Sequence, residues 1–151
     1  MDSLKIEEKY IEERVRILRF LEKRFGKKVI DLAAGEKKKL IYKRMRGQYQ
    51  KIIPADMNQF FKIIFGDFEG IDRIINFTVL DKTKNHLKIR INKYWYAEIY
   101  RRLEAHDIGH KMVCMMDPTM NRALNPKIKM LRPKKLMLGH DCCIFEYWLK
   151  P

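Results

Sequence analysis

Four side chains in the second half of the sequence are of the types that enzymes use to move protons or to attack carbon. Cys114 is followed three residues later by Asp117, and His140 is followed at the same interval by Cys143. A thiol attacks only as a thiolate, which requires a nearby cation or base to lower its pKa from about 8.5. His140 is the sequence neighbour that could do so, while Asp117 could act as a general base that activates water. These residues predict hydrolytic chemistry if the fold brings the two segments together.

Each of these residues also has a structural interpretation. Free cysteines are commonly buried as small apolar groups, and Cys114 lies in a Met-rich segment typical of packing. Asp117 precedes Pro118, where an aspartate often makes a turn hydrogen bond. Cys114, Asp117, His140 and Cys143 would suit zinc or iron in ligand type, but their spacing matches no standard zinc signature. We therefore predict neither a metal nor a cofactor, and keep a metal-binding or sensing module as an alternative.

The composition is typical of a globular domain. The chain has 151 residues, of which 46% are hydrophobic and 34% charged, and this size predicts a single domain over 1–151. No apolar run reaches the roughly 18 residues needed to span a membrane, and the acidic, amphipathic start lacks the features of a signal peptide. Three cysteines, two of them adjacent, make a poor disulfide framework, so we expect reduced thiols and a cytoplasmic location.

The net charge of +14 raises the question of a nucleic-acid partner, because Lys and Arg gain affinity by releasing counterions from phosphates. Over Glu7–Lys28, however, acidic and basic residues are mixed at helical spacing, which is typical of a solvated helix face. Only Lys37–Arg46 and Lys127–Lys135 are unbalanced. The distribution favours solubility, or attraction of a small anionic molecule, over nucleic-acid binding through Lys37–Arg46, which stays as a second alternative.

The hydrophobic periodicity predicts that the first part of the chain, about 1–66, is helical. Apolar residues repeat at helical steps from residue 3 to 25, with Gly26 at the C-terminal cap. A second helix is predicted over 29–46, and a short one over 57–65. For the second helix, the residues assigned to the core are Leu32, Leu40, Ile41 and Met45.

In the second part, about 70–150, the hydrophobic periodicity predicts strands as well as helices. Two runs of period two, at 75–80 and 87–92, indicate an antiparallel hairpin. A helix over 94–105 follows, then a short helix that must end near Asp117, because Pro118 disfavours helical geometry in the residue before it. One long or bulged strand over 128–138 and a last strand from Cys143 complete the pattern. The predicted class is α+β, with N-terminal helices packed on an antiparallel sheet of two hairpins and two short helices between the hairpins.

Three segments resemble the L-2-amino-thiazoline-4-carboxylic acid hydrolase family, over roughly residues 85–149. They are Met112-Val113-Cys114-Met115-Met116-Asp117-Pro118, then Asn125-Pro126-Lys127-Ile128, then Lys135 to Phe145. Family members commonly combine a cysteine closely followed by an aspartate, an Asn-Pro pair at the start of a strand, and a glycine followed by a cysteine and an aromatic residue. Gly139, Cys143 and Phe145 supply the last element here.

The resemblance implies a hydrolase that opens the ring of 2-amino-thiazoline-4-carboxylate, or of a related cyclic amidine, to a carbamoyl product. It implies Cys143, Asp117 and Cys114 as catalytic residues, and we add His140 as a fourth because it lies at the turn beside Cys143. Basic or polar side chains would hold the substrate, and our candidates are Arg132, Lys134, Lys93 and Asn125. The sequence departs from the family pattern in having Asn92-Lys93-Tyr94 where members often have a cysteine, and His140 where they often have an acid. These departures keep a non-catalytic small-molecule-binding module open. A homodimer is the default expectation for an oligomer of this size.

Overall fold

The computed structural model describes residues 2–49, 53–66 and 69–151. The predicted helical part, 1–66, therefore includes residues 1 and 50–52, which lie outside the described residues. Within the described ranges the helices are α1 (Ser3–Phe25), α2 (Lys28–Gln48), α3 (Met57–Phe61), α4 (Trp95–Arg102), α5 (His106–Met112) and α6 (Asp117–Leu124), and the strands are β1 (Ile75–Lys82), β2 (His86–Tyr94), β3 (Ile128–Lys134) and β4 (Cys143–Leu149). A π-helical turn, Lys62–Gly66, extends α3, and short 3₁₀ turns cover Ile71–Arg73, Cys114–Met116 and Leu136–Leu138.

Helices α1 and α2 occupy the predicted segments, although two of the core assignments in α2 are wrong. The Asp2 side chain caps α1 by accepting from the Leu4 amide, and Gly26 ends the helix at a φ of 89°. In α2 the buried residues are Ile30, Ala34 and Ile41, whereas Leu32 and Leu40 are exposed. The reason is that α2 buries a stripe centred on Ile41, and Leu32 and Leu40 fall outside it.

The sheet has the order β1-β2-β4-β3, with every neighbouring pair antiparallel. Ile91 pairs with Cys143 and Ile89 with Phe145, and directly opposed residues point to the same face. This face is the buried one, because four of its side chains are at most 2% accessible to solvent: Ile89, Ile91, Cys143 and Tyr147. The structure thus confirms the α+β class and the antiparallel sheet.

The segment around Asp117 differs from the prediction. Instead of ending a helix, Asp117 begins α6, with Pro118 in the first turn. Proline lacks an amide hydrogen, and the first turn of a helix needs none at that position. Three short helices therefore lie between the hairpins rather than two.

The strand predicted over 128–138 ends at Lys134. Its pairing with β4 shifts register between Leu131 and Lys134, at the position of Pro133, which has no amide hydrogen to donate. β3 is an edge strand, so a bulge and an edge location accommodate this proline, as the sequence indicated.

The buried residues form two clusters. One joins α1 and α2 to α4, α5 and the Leu136–Leu138 turn, and the other joins the inner face of the sheet to α3 and to the end of α6. Three partly buried side chains pack against both clusters: Met45, Tyr94 and Leu136. Tyr94 stands where β2 gives way to α4, which places the junction of the two cores beside the predicted site.

Candidate functional site

The centre of the candidate site is an ion pair between Asp117 and Arg132. The Nη1 atom of Arg132 donates to Oδ2 of Asp117 at 3.2 Å and also to the carbonyl oxygen of Cys114. Strand alternation turns the Arg132 side chain inward, between exposed Leu131 and Pro133, and only 9% of it is accessible, against 22% for Asp117. Burial raises the pKa of Asp117 to about 6, and the charge of Arg132 opposes that rise.

The thiols of Cys114 and Cys143 are buried near this carboxyl group. Burial raises the pKa of Cys114 to about 12 and that of Cys143 to about 11, with the charge of Asp117 adding to both shifts. The Cys143 sulfur accepts a hydrogen bond from the Leu136 amide at 3.2 Å. Both thiols are therefore protonated at neutral pH, and all three cysteines of the chain are free and buried.

Two cavities meet at Asp117. The smaller, which we call the inner pocket, has a volume of about 120 Å³ and a mostly apolar lining that includes Ile91, Asn121, Phe145 and Tyr147. The larger, which we call the basic cleft, has a volume of about 440 Å³ and is lined by residues that include Glu7, Arg14, Lys37 and Arg44. Tyr94, Asp117 and Met120 line both cavities. Asp117 thus stands between a basic cavity and a mostly apolar one.

Burial raises the pKa of both tyrosines that face the carboxyl group, Tyr94 and Tyr147, and the charge of Asp117 contributes to each shift. Their hydroxyl groups therefore remain hydrogen-bond donors at neutral pH. Asn121 lies one helical turn after Asp117, is almost completely buried, and donates to the Met130 sulfur at 3.3 Å. The inner pocket consequently combines an apolar floor with a small number of polar groups, which is common in small-molecule sites.

The structure brings together three of the four predicted catalytic residues. They are Cys114, Asp117 and Cys143, which lie close enough together that the charge of Asp117 raises the pKa of both thiols. His140, in contrast, is exposed at the turn after Gly139. Its Nδ1 atom accepts from the Lys135 amide at 3.1 Å, and within the described residues no hydrogen bond connects the ring to Cys143.

Of the predicted substrate-binding residues, Arg132 is paired with Asp117, and the other three have protein partners elsewhere. Lys134 donates to Asp141 at 3.2 Å on the surface. Lys93 lies 3.8 Å from Glu98 in a separate cavity of about 400 Å³. The Asn125 amide donates to the Pro54 carbonyl at 3.0 Å, and its oxygen accepts from the Lys127 amide at 2.9 Å, so this side chain holds the start of β3 in place.

The residues of the basic cleft were not identified as site residues from the sequence, although Lys37 and Arg44 belong to the basic segment noted there. Lys37 donates to the Met112 carbonyl at 2.5 Å, and Arg46 donates to the Ala123 carbonyl at 3.2 Å. Both side chains thus neutralise carbonyl groups at the C-terminal ends of α5 and α6. Part of the charge that suggested a nucleic-acid partner is therefore used within the fold.

Two further features concern metals and membranes. In the part of the chain that the structure describes, no three His, Cys, Asp or Glu side chains are grouped so that they could hold a metal ion. None of the helices in those ranges combines the length and the apolar character that crossing a bilayer requires.

The fold of the chain is similar to that of a protein of known structure. A crystal structure of trafficking protein particle complex subunit 3 from Naegleria fowleri, covalently bound to palmitic acid, superimposes with a TM-score of 0.51. The alignment covers 97% of each chain at 11% sequence identity, so the likeness concerns the fold alone. Among curated proteins, no sequence matches this chain significantly.

The sequence identifies the family. The profile of the L-2-amino-thiazoline-4-carboxylic acid hydrolase family matches residues 5–147, and the chain belongs to this family. The match includes α1 and α2, so it extends well beyond the segment over which the resemblance was recognised.

Proposed function

We propose that this protein is a hydrolase that opens the ring of 2-amino-thiazoline-4-carboxylate, or of a closely related cyclic amidine bearing a carboxylate, with Asp117 as the general base. The observation that carries the proposal is the position of Asp117, a residue that lines both cavities and whose carboxyl group has a pKa of about 6. A base with a pKa near the working pH combines a high ionised fraction with a useful affinity for protons. Membership of a hydrolase family supports the same reaction class.

The proposed reaction is an addition followed by an elimination. The oxygen of a water molecule bonds to the ring carbon that carries the amino group, while Asp117 accepts a proton from that water. The bond between this carbon and the ring sulfur then breaks, and the sulfur leaves as a thiol with the proton returned by Asp117. The second water proton ends on the ring nitrogen, and the product is N-carbamoyl-cysteine. No oxidant or reductant is required.

The state of the thiols favours this route over covalent catalysis. With a pKa of about 11, Cys143 would first have to lose its proton to Asp117, and neither Cys114 nor Cys143 lines the two cavities that meet at Asp117. Tyr94 and Tyr147 lie beside Asp117, and their neutral hydroxyl groups can donate hydrogen bonds to the tetrahedral intermediate. Covalent attack by Cys143 remains the competing mechanism, and mutagenesis separates the two.

The test is incubation of the purified protein with 2-amino-thiazoline-4-carboxylate, with detection of the released thiol and of N-carbamoyl-cysteine by mass spectrometry. We expect Asp117→Asn to reduce kcat by about 100- to 10,000-fold, and the control Asp72→Asn, at an exposed aspartate, to retain full activity. Full activity in Cys143→Ala would exclude covalent attack by that thiol.

Failure of the wild-type protein to form the product would refute the proposed substrate. Binding of the compound without turnover would instead support a non-catalytic binding module on the same scaffold.

A further inference from the structure

Three cationic side chains line the basic cleft on the side opposite the sheet. Arg14 comes from α1, and Lys37 and Arg44 come from α2. Within the described residues, none of the three lies within 4 Å of a carboxylate oxygen, whereas Arg132, at the centre of the site, is paired with Asp117. The cleft therefore concentrates positive charge that the protein does not neutralise through a direct ion pair.

The arrangement is unfavourable for the empty protein. Burial, together with the charges of Arg14 and Arg44, lowers the pKa of Lys37 to about 8, and the charge of Glu7 opposes this shift. An anion in the cleft would relieve this repulsion. It would also gain from a partly buried setting, where Coulomb interactions are weakened less by solvent than they are on the surface.

We propose that Arg14, Lys37 and Arg44 bind the carboxylate of the substrate and so direct its ring towards Asp117. The proposal rests on the proposed function for the identity of the ligand. It assigns carboxylate recognition to residues of the N-terminal helices, in place of Arg132, Lys134, Lys93 and Asn125, none of which lines the basic cleft. Guanidinium groups suit this role because they can form two parallel hydrogen bonds to one carboxylate.

The test compares substrate binding in charge-neutralising variants. We expect Arg14→Gln/Arg44→Gln to raise KM for 2-amino-thiazoline-4-carboxylate at least tenfold with little change in kcat, and not to raise KM for 2-amino-thiazoline, which lacks the carboxylate. The matched control is Arg16→Gln/Lys43→Gln, which removes two exposed charges from the same helices outside the cleft. Lys37 is left intact because its bond to the Met112 carbonyl supports the fold.

Calorimetric titration of the same ligands into Asp117→Asn keeps this test separate from turnover. Arg14→Gln/Arg44→Gln and the control Arg16→Gln/Lys43→Gln are each introduced into Asp117→Asn. Tenfold weaker binding of the carboxylate compound after the first pair of changes would support binding in the basic cleft, even if no activity were ever found. Equal affinity after the two pairs of changes would refute binding in the cleft, whatever the catalytic result.

A second observation concerns the outer surface of α1. Five large apolar side chains on this helix are exposed, with accessible fractions from 39% to 68%. Phe25 is the last residue of the helix, and the other four lie along one face: Ile6, Tyr10, Ile17 and Phe20. With Glu13 and Arg24 they follow each other in alternating steps of four and three residues, which is the spacing of a helix-packing seam. This seam lies on the side of α1 opposite the buried Ile11, Val15 and Leu18.

The charge distribution along α1 indicates which partner fits the seam. Residues 3–13 contain four glutamates and two lysines, whereas residues 14–25 contain five basic residues and one glutamate. A second copy of the same helix running antiparallel would place the acidic half of each against the basic half of the other. A groove of about 500 Å³, lined partly by Tyr10 and Ile17, lies beside the seam and could receive large apolar side chains.

We infer that two copies of this protein associate through antiparallel α1 helices about a two-fold axis, with Tyr10 of each copy against Phe20 of the other. Sedimentation analysis across a wide range of protein concentration should show a monomer–dimer equilibrium. It should shift strongly to monomer in Ile17→Glu/Phe20→Glu and stay unchanged in the control Leu32→Glu, an exposed position on α2. A wild-type protein that stays monomeric, or a double variant that still dimerises, would refute the inference.

Disulfide trapping tests the orientation. A mixture of Tyr10→Cys and Phe20→Cys proteins should form the mixed disulfide, because antiparallel helices oppose these positions, and the natural cysteines are buried. Crosslinking of Tyr10→Cys with itself, in preference to the mixed product, would indicate a parallel arrangement and contradict the proposal.

Discussion

At the scale of single residues, the site depends on a balance around Asp117. Burial disfavours the carboxylate and raises its pKa, while the Arg132 guanidinium at 3.2 Å favours the carboxylate. The result is an acid that ionises close to neutrality instead of near 3.8. Groups whose pKa values are shifted in this way concentrate at functional sites.

Replacement of Arg132 tests this balance. If Asp117 is the general base, kcat/KM for 2-amino-thiazoline-4-carboxylate should fall as the pH drops below about 6, because the carboxylate becomes protonated. Arg132→Gln removes the opposing charge, so the pKa of Asp117 should rise and the acidic limb should move to higher pH. The pH profile of kcat/KM measures this shift, with Lys129→Gln, at an exposed position on the same strand, as the control. An acidic limb that does not move would show that Arg132 does not set the pKa of the base.

Sequence reasoning located some of these residues and missed others for a physical reason. Strand alternation indicated that Cys142 and Cys143 point to opposite faces but not which of them faces inward, and the association of Cys114 with Asp117 follows from their separation along the chain. The outward position of His140 depends on the conformation of a turn. Arg14 and Asp117 are far apart in sequence, and they line the same cleft because of how α1 packs. Neither the position of His140 nor this proximity is encoded in local spacing.

At the scale of elements, the close approach of α5 to α4 fixes the segment that leads to Cys114. A Cβ atom at Gly109 would come within 2.6 Å of both the Met137 sulfur and the Cγ atom of Tyr100. Glycine is required here because of space, since Gly109 does not have a positive φ.

The corresponding prediction is that Gly109→Ala lowers the free energy of unfolding by about 1–3 kcal/mol, because the added methyl group overpacks the core. The control is Gly35→Ala in α2, where a Cβ atom meets nothing within 4 Å. This change should raise stability by about 0.5–1 kcal/mol, since alanine loses less entropy than glycine on forming a helix. Urea denaturation measures both values. A destabilised control, or an unaffected Gly109→Ala, would contradict this description of the packing.

The β1–β2 hairpin contains an electrostatic element of its own. His86 forms ion pairs across the sheet, with Asp81 on β1 and with Glu146 on β4, the latter at 2.8 Å. These two hydrogen bonds raise the pKa of His86 above 6.5. The folded protein therefore binds this proton more tightly than the unfolded chain does.

Stability should respond to pH in the direction that this shift requires. The contribution of His86 to the free energy of unfolding should be complete below about pH 6.5, and it should be lost as the pH rises through the higher pKa of the folded state. The difference in unfolding free energy between the wild type and His86→Gln should therefore be larger at about pH 6 than at about pH 9. His106→Gln, at an exposed position on α5, serves as the control. A difference that grows with pH would show that the imidazole is not stabilised in its charged form.

At the scale of the whole molecule, the candidate site lies where the two core clusters meet. Tyr94 packs against both and lines both cavities. The sequence predicted the elements and their antiparallel sheet, because periodicity reports which face of each element is buried. It did not predict α6, because a proline after Asp117 is compatible with the end of one helix or with the first turn of the next.

The net charge of +14 should influence how fast a substrate that bears a carboxylate is captured. A positive surface and a basic cleft attract a carboxylate, and salt screens this attraction over a Debye length of about 8 Å at physiological ionic strength. We therefore expect kcat/KM for 2-amino-thiazoline-4-carboxylate to fall as sodium chloride is raised, while the value for 2-amino-thiazoline, which lacks the carboxylate and carries only the basic amidine, does not fall. Glutamine at the exposed Arg16 and Lys43 should reduce the slope only slightly, whereas glutamine at Arg14 and Arg44 should flatten it, because the field is focused in the cleft. The same salt dependence for both compounds would mean that electrostatic attraction does not govern substrate capture, and the positive charge would then serve another purpose, such as solubility.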